Sequence, residues 1–441
     1  MSGPISDPAE RVQRVRAALP EGGLFAGKDW RWSPDAFPLS RAEVRHLERL
    51  GHWLTLFLKT CDLFYRRSAK GTLPEWIAAL CDAGKPPWLV ECARRLNGDG
   101  PQALPRVIRP DLILEENGFA LSEIDSVPGG IGLLAWLNST YSELGEKVIG
   151  GPTGMLDGFA SLADGGPLDI LVSQEAGDYR PEMEWIAARL CERGHTATVA
   201  DAEGYRPGNA AIYRFFELFD WENIPGFQDL AQAATAGRTR ITAPMKPWLE
   251  EKLWLALLWS APLRKHWELA LRRARFEGLQ RMVPFGWVVD PAPIPPHGVL
   301  PRLEVNRWED VAEFSQSQRE LVLKASGFHP LAWGARSVTV GHDVPHDEWA
   351  DALRHACDSF PAHPFVMQEF RHARVVRHRY LDDHGHIAEM EGKVRLTPYY
   401  FIDSSGKASL GGVHATICPA DKKILHGMSD ALMLPCVVAE D

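Results

Sequence analysis

The sequence predicts a mixed α/β (α+β) fold with a helical N-terminal region and a small parallel-sheet subdomain, and three stretches carry that expectation. Val44, Leu47, Leu50, Trp53, Leu54 and Phe57 recur at the three-to-four-residue spacing of one helix face. Leu168 to Val199 runs strand, helix, strand, the order of a βαβ unit. Arg109 to Gly130, RPDLILEENGFALSEIDSVPGG, sets two alternating strand-like runs on either side of Asn117-Gly118.

At 441 residues the chain exceeds what one core fills, so two or three subdomains are expected. Its 45% hydrophobic and 24% charged fractions are ordinary for a globular protein. A net charge of -10 argues against nucleic acid or an anionic membrane as the main partner, because phosphate binding on that scale shows as a basic excess. Cys61, Cys81, Cys92, Cys191, Cys357, Cys418 and Cys436 are scattered and form no Cys-x-x-Cys pair. They read as reduced thiols of a cytoplasmic protein. The N-terminal stretch lacks the apolar core of a secretory signal, and the apolar run around Leu253–Ser260 is too short to span a bilayer.

Residues 1–104 form the expected helical region. Ser40 and Glu43 make a capping box at the head of its longest helix, each side chain serving the other's backbone N–H. No chemistry is legible there; Trp53, Phe57, Phe64 and Tyr65 read as core or docking surface. Residues 105–239 hold the charged hairpin and the small α/β subdomain. Gly129-Gly130 opens a helix over 131–144; LDILVS, a helix over 181–193 and TATVA make the βαβ unit, and Ala211–Phe216 is a further strand.

Residues 240–300 read as a helical hairpin, KPWLEEKLWLALLW followed by a basic helix through Arg272, Arg273 and Arg275, closed by a proline-rich link. Trp248, Trp254 and Trp259 read as packing. Lys252, in a helix otherwise apolar around it, must reach water or meet an anion. Residues 301–441 alternate strand and helix again. ELVLKASG is a strand ending at Lys324, WGARSVTVG a second beginning with the loop Gly334-Ala335-Arg336, and FVMQEF a third after a helix over 346–358. A lysine at a strand end beside a glycine loop is one device for holding polyphosphate, and equally an ordinary solvated lysine.

In the charged hairpin the register decides what the residues can do. A two-residue loop at Asn117-Gly118 pairs Asp111 with Ile124 and puts the carboxylates on opposite faces. A three-residue loop, Glu116-Asn117-Gly118, pairs Asp111 with Glu123 and Arg109 with Asp125, so all four charges share a face. The second register is expected. Three carboxylates so placed raise one another's pKa unless a cation compensates, which a hard divalent metal does. The plainer reading is a solvated hairpin whose charges guard an edge strand.

Together these residues resemble the ATP-grasp superfamily, and within it the circularly permuted group related to glutathionylspermidine synthase, over roughly residues 105–435. In ordinary ATP-grasp enzymes the phosphate-binding lysines precede the acidic metal ligands; here they follow them. The resemblance implies an ATP-grasp fold in circularly permuted order. It also implies Mg²⁺ ligands at Asp111, Glu123 and Asp125, the last standing where the family commonly has Asn, with Arg109 on the transferring phosphoryl group. Lys252 and Lys324 match the nucleotide lysines, Arg336 the flap, and Gln368 and Glu369 the strand that meets adenine. The longer flap, SGFHPLAWGARS, departs from the family, and no Cys-His amidase segment is present, so glutathione and spermidine are not carried over as substrates.

The activity so implied is an ATP-dependent carboxylate–amine ligase, with ATP and Mg²⁺ as cofactors and a small-molecule acid and amine as substrates. Two alternatives stand beside it. One is a catalytically inactive ATP-binding regulatory protein. The other is a zinc hydrolase built on His372, His378, His384 and His386, disfavoured by the arginines interleaved among them and by the lack of a His-x-x-x-His helix.

Overall fold

The computed structural model describes residues 7–20, 29–96, 103–329, 331, 336–427 and 429–439. They group into two compact units, one of Met1–Thr55, Arg95–Met245 and Ala373–Asp441, the other of Leu56–Arg94 and Lys246–His372. No helix among the described residues is long and apolar enough to cross a membrane.

The first unit is built on a seven-stranded sheet in the order Phe37–Leu39, Leu432–Val438, Ala408–Pro419, Ile387–Ile402, Val107–Glu115, Gly118–Asp125, with Val375–Leu381 also pairing on Ile387–Ile402. All its pairings are antiparallel except the first. Alternation separates its faces. Leu112, Leu114, Leu121 and Leu396 are fully buried on one side; Val107, Tyr399 and Phe401 on the other pack into a core with the helices Ile131–Glu143, Gly154–Ala160 and Arg180–Glu192.

A four-stranded parallel sheet completes this unit, in the order Ala197–Asp201, Leu168–Val172, Ala211–Phe215, Arg240–Thr242. The expected βαβ unit is its centre, and the expected helix after Gly129-Gly130 is Ile131–Glu143. Arg106 ties the two sheets together. Its backbone N–H donates to the Thr242 hydroxyl of the parallel sheet at 2.9 Å, and its buried guanidinium donates to the Ile402 carbonyl of the larger sheet, to the carbonyls of Leu162 and Ser161 and to both carboxylate oxygens of Asp164.

The second unit carries a four-stranded antiparallel sheet, Thr339–Val340, Leu321–Ala325, Phe365–Glu369, Gly286–Val288. Leu321, Leu323, Ala325, Phe365 and Met367 face one core with Trp287 and Trp349. On the other face Val366 packs against Leu253 and Ala256. Two expectations fail here. KPWLEEKLWLALLW is not one helix but a 3₁₀ turn, Pro247–Glu250, then a short helix, Leu253–Leu257. The break falls at Glu251, whose backbone is extended because its buried carboxylate pairs with Lys85 and accepts from the Ser326 hydroxyl. WGARSVTVG contributes only Thr339–Val340 as strand; Arg336 lies in a turn, and Gly334 and Ala335 fall outside the described residues. The basic helix is likewise split at Arg272, which stands at φ 63° between Arg264–Leu271 and Arg273–Met282.

The capping box forms as read: Glu43 accepts from the Ser40 backbone N–H at 2.7 Å and the Ser40 hydroxyl accepts from the Glu43 N–H at 3.2 Å, opening the helix Arg41–Ala69. Ser40→Ala removes one of these bonds and is expected to lower the unfolding free energy by about 1 kcal/mol in urea titration. An unchanged midpoint would mean that the cap contributes nothing.

Candidate functional site

The hairpin of Val107–Glu115 and Gly118–Asp125 pairs Arg109 with Asp125 and Asp111 with Glu123, the register expected. It arrives there by a different route. The loop is closed one residue earlier, Glu115 opposite Gly118, and the missing step is supplied by a bulge at Ser122, where the register shifts between Asp111 and Leu112. The Ser122 hydroxyl donates to the Asp111 carbonyl at 3.0 Å and pins the bulge. Near the turn, Leu112, Leu114, Phe119 and Leu121 all stay buried. Beyond the bulge, Arg109, Asp111, Glu123 and Asp125 come out on one face.

That face is crowded with charge. Arg109 pairs with Asp125, reaches Asp111 at 3.5 Å and donates to the Gly129 carbonyl at 3.3 Å. Arg395, from Ile387–Ile402, donates to the other Asp111 oxygen at 3.0 Å. Burial pushes the Asp125 carboxyl above the usual carboxylate range; Arg109 opposes the rise, and Asp111 and Glu123 add to it. Three hard oxygen donors of like charge form a set whose chemistry suits Mg²⁺. As they stand, though, no three His, Cys, Asp or Glu side chains among the described residues are arranged to hold a metal, and arginines engage Asp111 and Asp125.

In the second unit, strand pairing sets Lys324 opposite Val366 and Gln368 opposite Val322. Lys324, Val322, Val366 and Gln368 therefore lie on one face, away from the tryptophan core. Lys324 and Gln368 are buried there. Lys252 is the residue just before the helix Leu253–Leu257, not a mid-helix lysine, and its N–H donates to the Ser326 carbonyl at 3.1 Å. Since Leu253 and Ala256 pack on Val366, Lys252 is carried to the face that holds Lys324 and Gln368. Glu369 has the opposite parity; its carboxylate accepts from Arg302 at 2.8 and 3.1 Å and its N–H is taken by the Phe285 carbonyl at 2.9 Å. Arg336 is exposed, one residue before Ser337, whose hydroxyl accepts from the Ala325 N–H at 3.2 Å.

The four histidines considered for zinc do not gather. His378 is buried against the Ser33 hydroxyl at 3.1 Å, His372 meets Glu320 at 3.2 Å, and His384 and His386 lie in an exposed turn whose backbone N–H groups bond Asp382. The interleaved arginines are engaged as well: Arg374 with Glu43, Arg377 with Glu391, Arg379 with Asp35.

Four residues of the charged face went unread in the sequence: Arg395, Thr397, His414 and Thr416. Arg395 pairs across the ladder with Thr416 and Thr397 with His414, on the same side as Asp111. Their signal is a period-two alternation, Lys393, Arg395, Thr397 and then His414, Thr416, with Val394, Leu396 and Ala415 between them.

No family model matches the sequence, and no curated protein sequence matches it. Among solved structures, the chain is similar to a glutathione synthetase like-effector from Globodera pallida in its apo form, at 12% identity over 99% of this chain and 98% of that one, with a TM-score of 0.56. It also has a weaker likeness, TM-score 0.41 and 12% identity over 85% of this chain and 86% of the other, to a chain assigned as a gamma-glutamylcysteine synthetase from Methylobacillus flagellatus KT. The first likeness shows a shared fold.

Burial pushes the His414 imidazole down to about 3; Arg395 and Arg109 add to the fall and Asp111 opposes it. The unfolded chain takes up a proton near pH 6.5 that the folded chain refuses, so stability is full above that pH and is lost as the pH falls toward 3. His414→Asn is expected to reduce the loss between pH 7 and pH 5 by about 2 kcal/mol, read from urea midpoints at both values. Parallel pH profiles for variant and parent would show that His414 does not carry this sensitivity.

Proposed function

We propose that this chain is an ATP-dependent carboxylate–amine ligase, forming an amide through an acyl phosphate in the manner of the glutathionylspermidine synthase-like, circularly permuted ATP-grasp enzymes. The observation that carries the reading is the single face shared by Arg109, Asp111, Glu123 and Asp125. Support also comes from the face of the second unit that holds Lys324 and Gln368, with Lys252 brought to it, and from the fold shared with a glutathione synthetase like-effector.

In this reading Lys252 and Lys324 neutralise nucleotide phosphates, Gln368 and Glu369 line the base, and Arg336 is a further candidate for phosphate. Asp111, Glu123 and Asp125 would hold Mg²⁺, which supplies charge neutralisation on the polyphosphate when bound. Arg109's planar fork suits two oxygens of the moving phosphoryl group. The substrate carboxylate oxygen attacks the γ-phosphorus, the bond to ADP breaks, and an acyl phosphate results. The amine then attacks the acyl carbon, phosphate leaves, and the nitrogen gives up a proton. Such chemistry asks the protein for position and charge, not for a nucleophile.

A second reading, an ATP-binding regulatory protein without ligase activity, draws on one observation: Asp111 and Asp125 are already engaged by arginines. Incubation with ATP, Mg²⁺ and pooled acids and amines separates the two. ADP accumulating only when an acid is present supports the ligase; AMP, or no turnover with intact ATP binding, contradicts it.

Two substitutions are expected to divide the roles. Glu123→Gln should abolish turnover while leaving the fold intact, because a lost carboxylate is a lost metal ligand. Lys324→Ala should weaken ATP affinity by about 1.5–3 kcal/mol, the worth of one charge-assisted contact, read by calorimetry. Normal turnover in the first, or unchanged affinity in the second, would remove the corresponding assignment.

A further inference from the structure

Beside the carboxylates, the charged face continues onto two strands that the ligase reading leaves without a task. Arg395 and Thr397 lie on Ile387–Ile402, His414 and Thr416 on Ala408–Pro419, paired Arg395 to Thr416 and Thr397 to His414. Their exposures are small: 3% for Thr397, 8% for His414 and none for Thr416. Yet Arg395 Nε, Thr397 Oγ1, His414 Nε2 and Thr416 Oγ1 are all buried without a hydrogen-bond partner among the described residues, and Arg109 Nε is a fifth such atom. Buried polar atoms left unmatched are costly, so five on one face need an occupant.

The chemistry of the five atoms limits what that occupant is. A guanidinium Nε–H only donates, so two of them require acceptors. The hydroxyls can donate as well. An amine brings only donors and cannot satisfy the two unmatched guanidinium N–H groups, whereas a carboxylate brings two acceptor oxygens to them; Asp111, Glu123 and Asp125 on the same face oppose its charge, so Arg109 and Arg395 must hold it. Phosphate oxygens share this chemistry, and ordered water satisfies buried groups in its own way.

We propose that Arg395, Thr397, His414 and Thr416 form a subsite that holds the carboxylate of the acyl-donor substrate beside Arg109 and Asp111. The inference rests on the ligase reading and names the side from which the acid is presented. Arg395 bridges the two parts: it donates to Asp111 at 3.0 Å through Nη1 while its Nε stays unmatched. Thr397 and Thr416 set specificity for an acceptor group without taking part in the phosphoryl transfer.

The test uses the full chain and the double variant Thr397→Val with Thr416→Val, which keeps shape and strand preference and removes only the hydroxyls. Hydroxylamine traps an acyl phosphate as a hydroxamate, releasing phosphate. Hydroxamate formation from acetate, succinate, L-glutamate and glutathione is measured with Mg-ATP, and Mg-ATP affinity is measured by calorimetry. For the best acid, the double variant is expected to raise KM at least tenfold, with kcat within twofold and Mg-ATP affinity unchanged. An unchanged KM overturns the subsite and leaves the row to ordered water. A fall in Mg-ATP affinity also overturns it, assigning the row to a nucleotide phosphate. If the parent binds Mg-ATP but yields no hydroxamate with any of the four, the ligase reading fails by itself. Calorimetric titration of the same acids then decides the subsite: binding lost in the double variant supports it, and no binding to the parent overturns it.

Discussion

One extra residue in one strand governs what this protein's charged face can be. Ser122 is the extra residue between Leu121 and Glu123, where the register shifts, and its hydroxyl holds the bulge by donating to the Asp111 carbonyl at 3.0 Å. Without that step, pairing carried on from Leu112 and Leu121 would set Asp111 against Ser122, and Glu123 and Asp125 would turn to the opposite face. With it, the leucines near the turn stay in the core while Arg109, Asp111, Glu123 and Asp125 emerge together. Burial of that face raises the Asp125 carboxyl, Asp111 and Glu123 add to the rise, and two arginines pair with the carboxylates. Every role proposed for this face depends on that local irregularity, which is a common use of a bulge beside a site.

Much of the architecture was legible because local chemistry and tertiary structure agree. Ser40 and Glu43 announce a helix and cap it. LDILVS and TATVA, separated by one amphipathic helix, admit little besides parallel pairing, and they form it. The hairpin's register followed from the demand that its charges share a face, although the loop proposed to deliver it was not the device used. Sequence patterns show that a strand must change register more readily than they show where.

What was not legible has physical reasons too. KPWLEEKLWLALLW is apolar enough for one helix, and its break depends on Glu251 finding Lys85 and Ser326, partners distant in sequence. Arg395, Thr397, His414 and Thr416 alternate with apolar residues as any half-solvated strand does. Only the pairing of Ile387–Ile402 with Val107–Glu115 puts them beside Asp111, and that contact spans more than half the chain. Lys324 stands at a strand end, where a lysine is ordinarily solvated, and is instead buried on the face it shares with Gln368.

The central claim is that this face serves transfer of a phosphoryl group to a carboxylate. Oxygen tracing tests it most directly. A carboxylate substrate labelled with ¹⁸O in both oxygens is turned over with Mg-ATP and an amine, and the released phosphate is examined by mass spectrometry. The account predicts one labelled oxygen in inorganic phosphate for each amide formed, because the acyl phosphate carries a substrate oxygen away with the phosphoryl group. Label found in AMP, or amide formed with unlabelled phosphate, would contradict it.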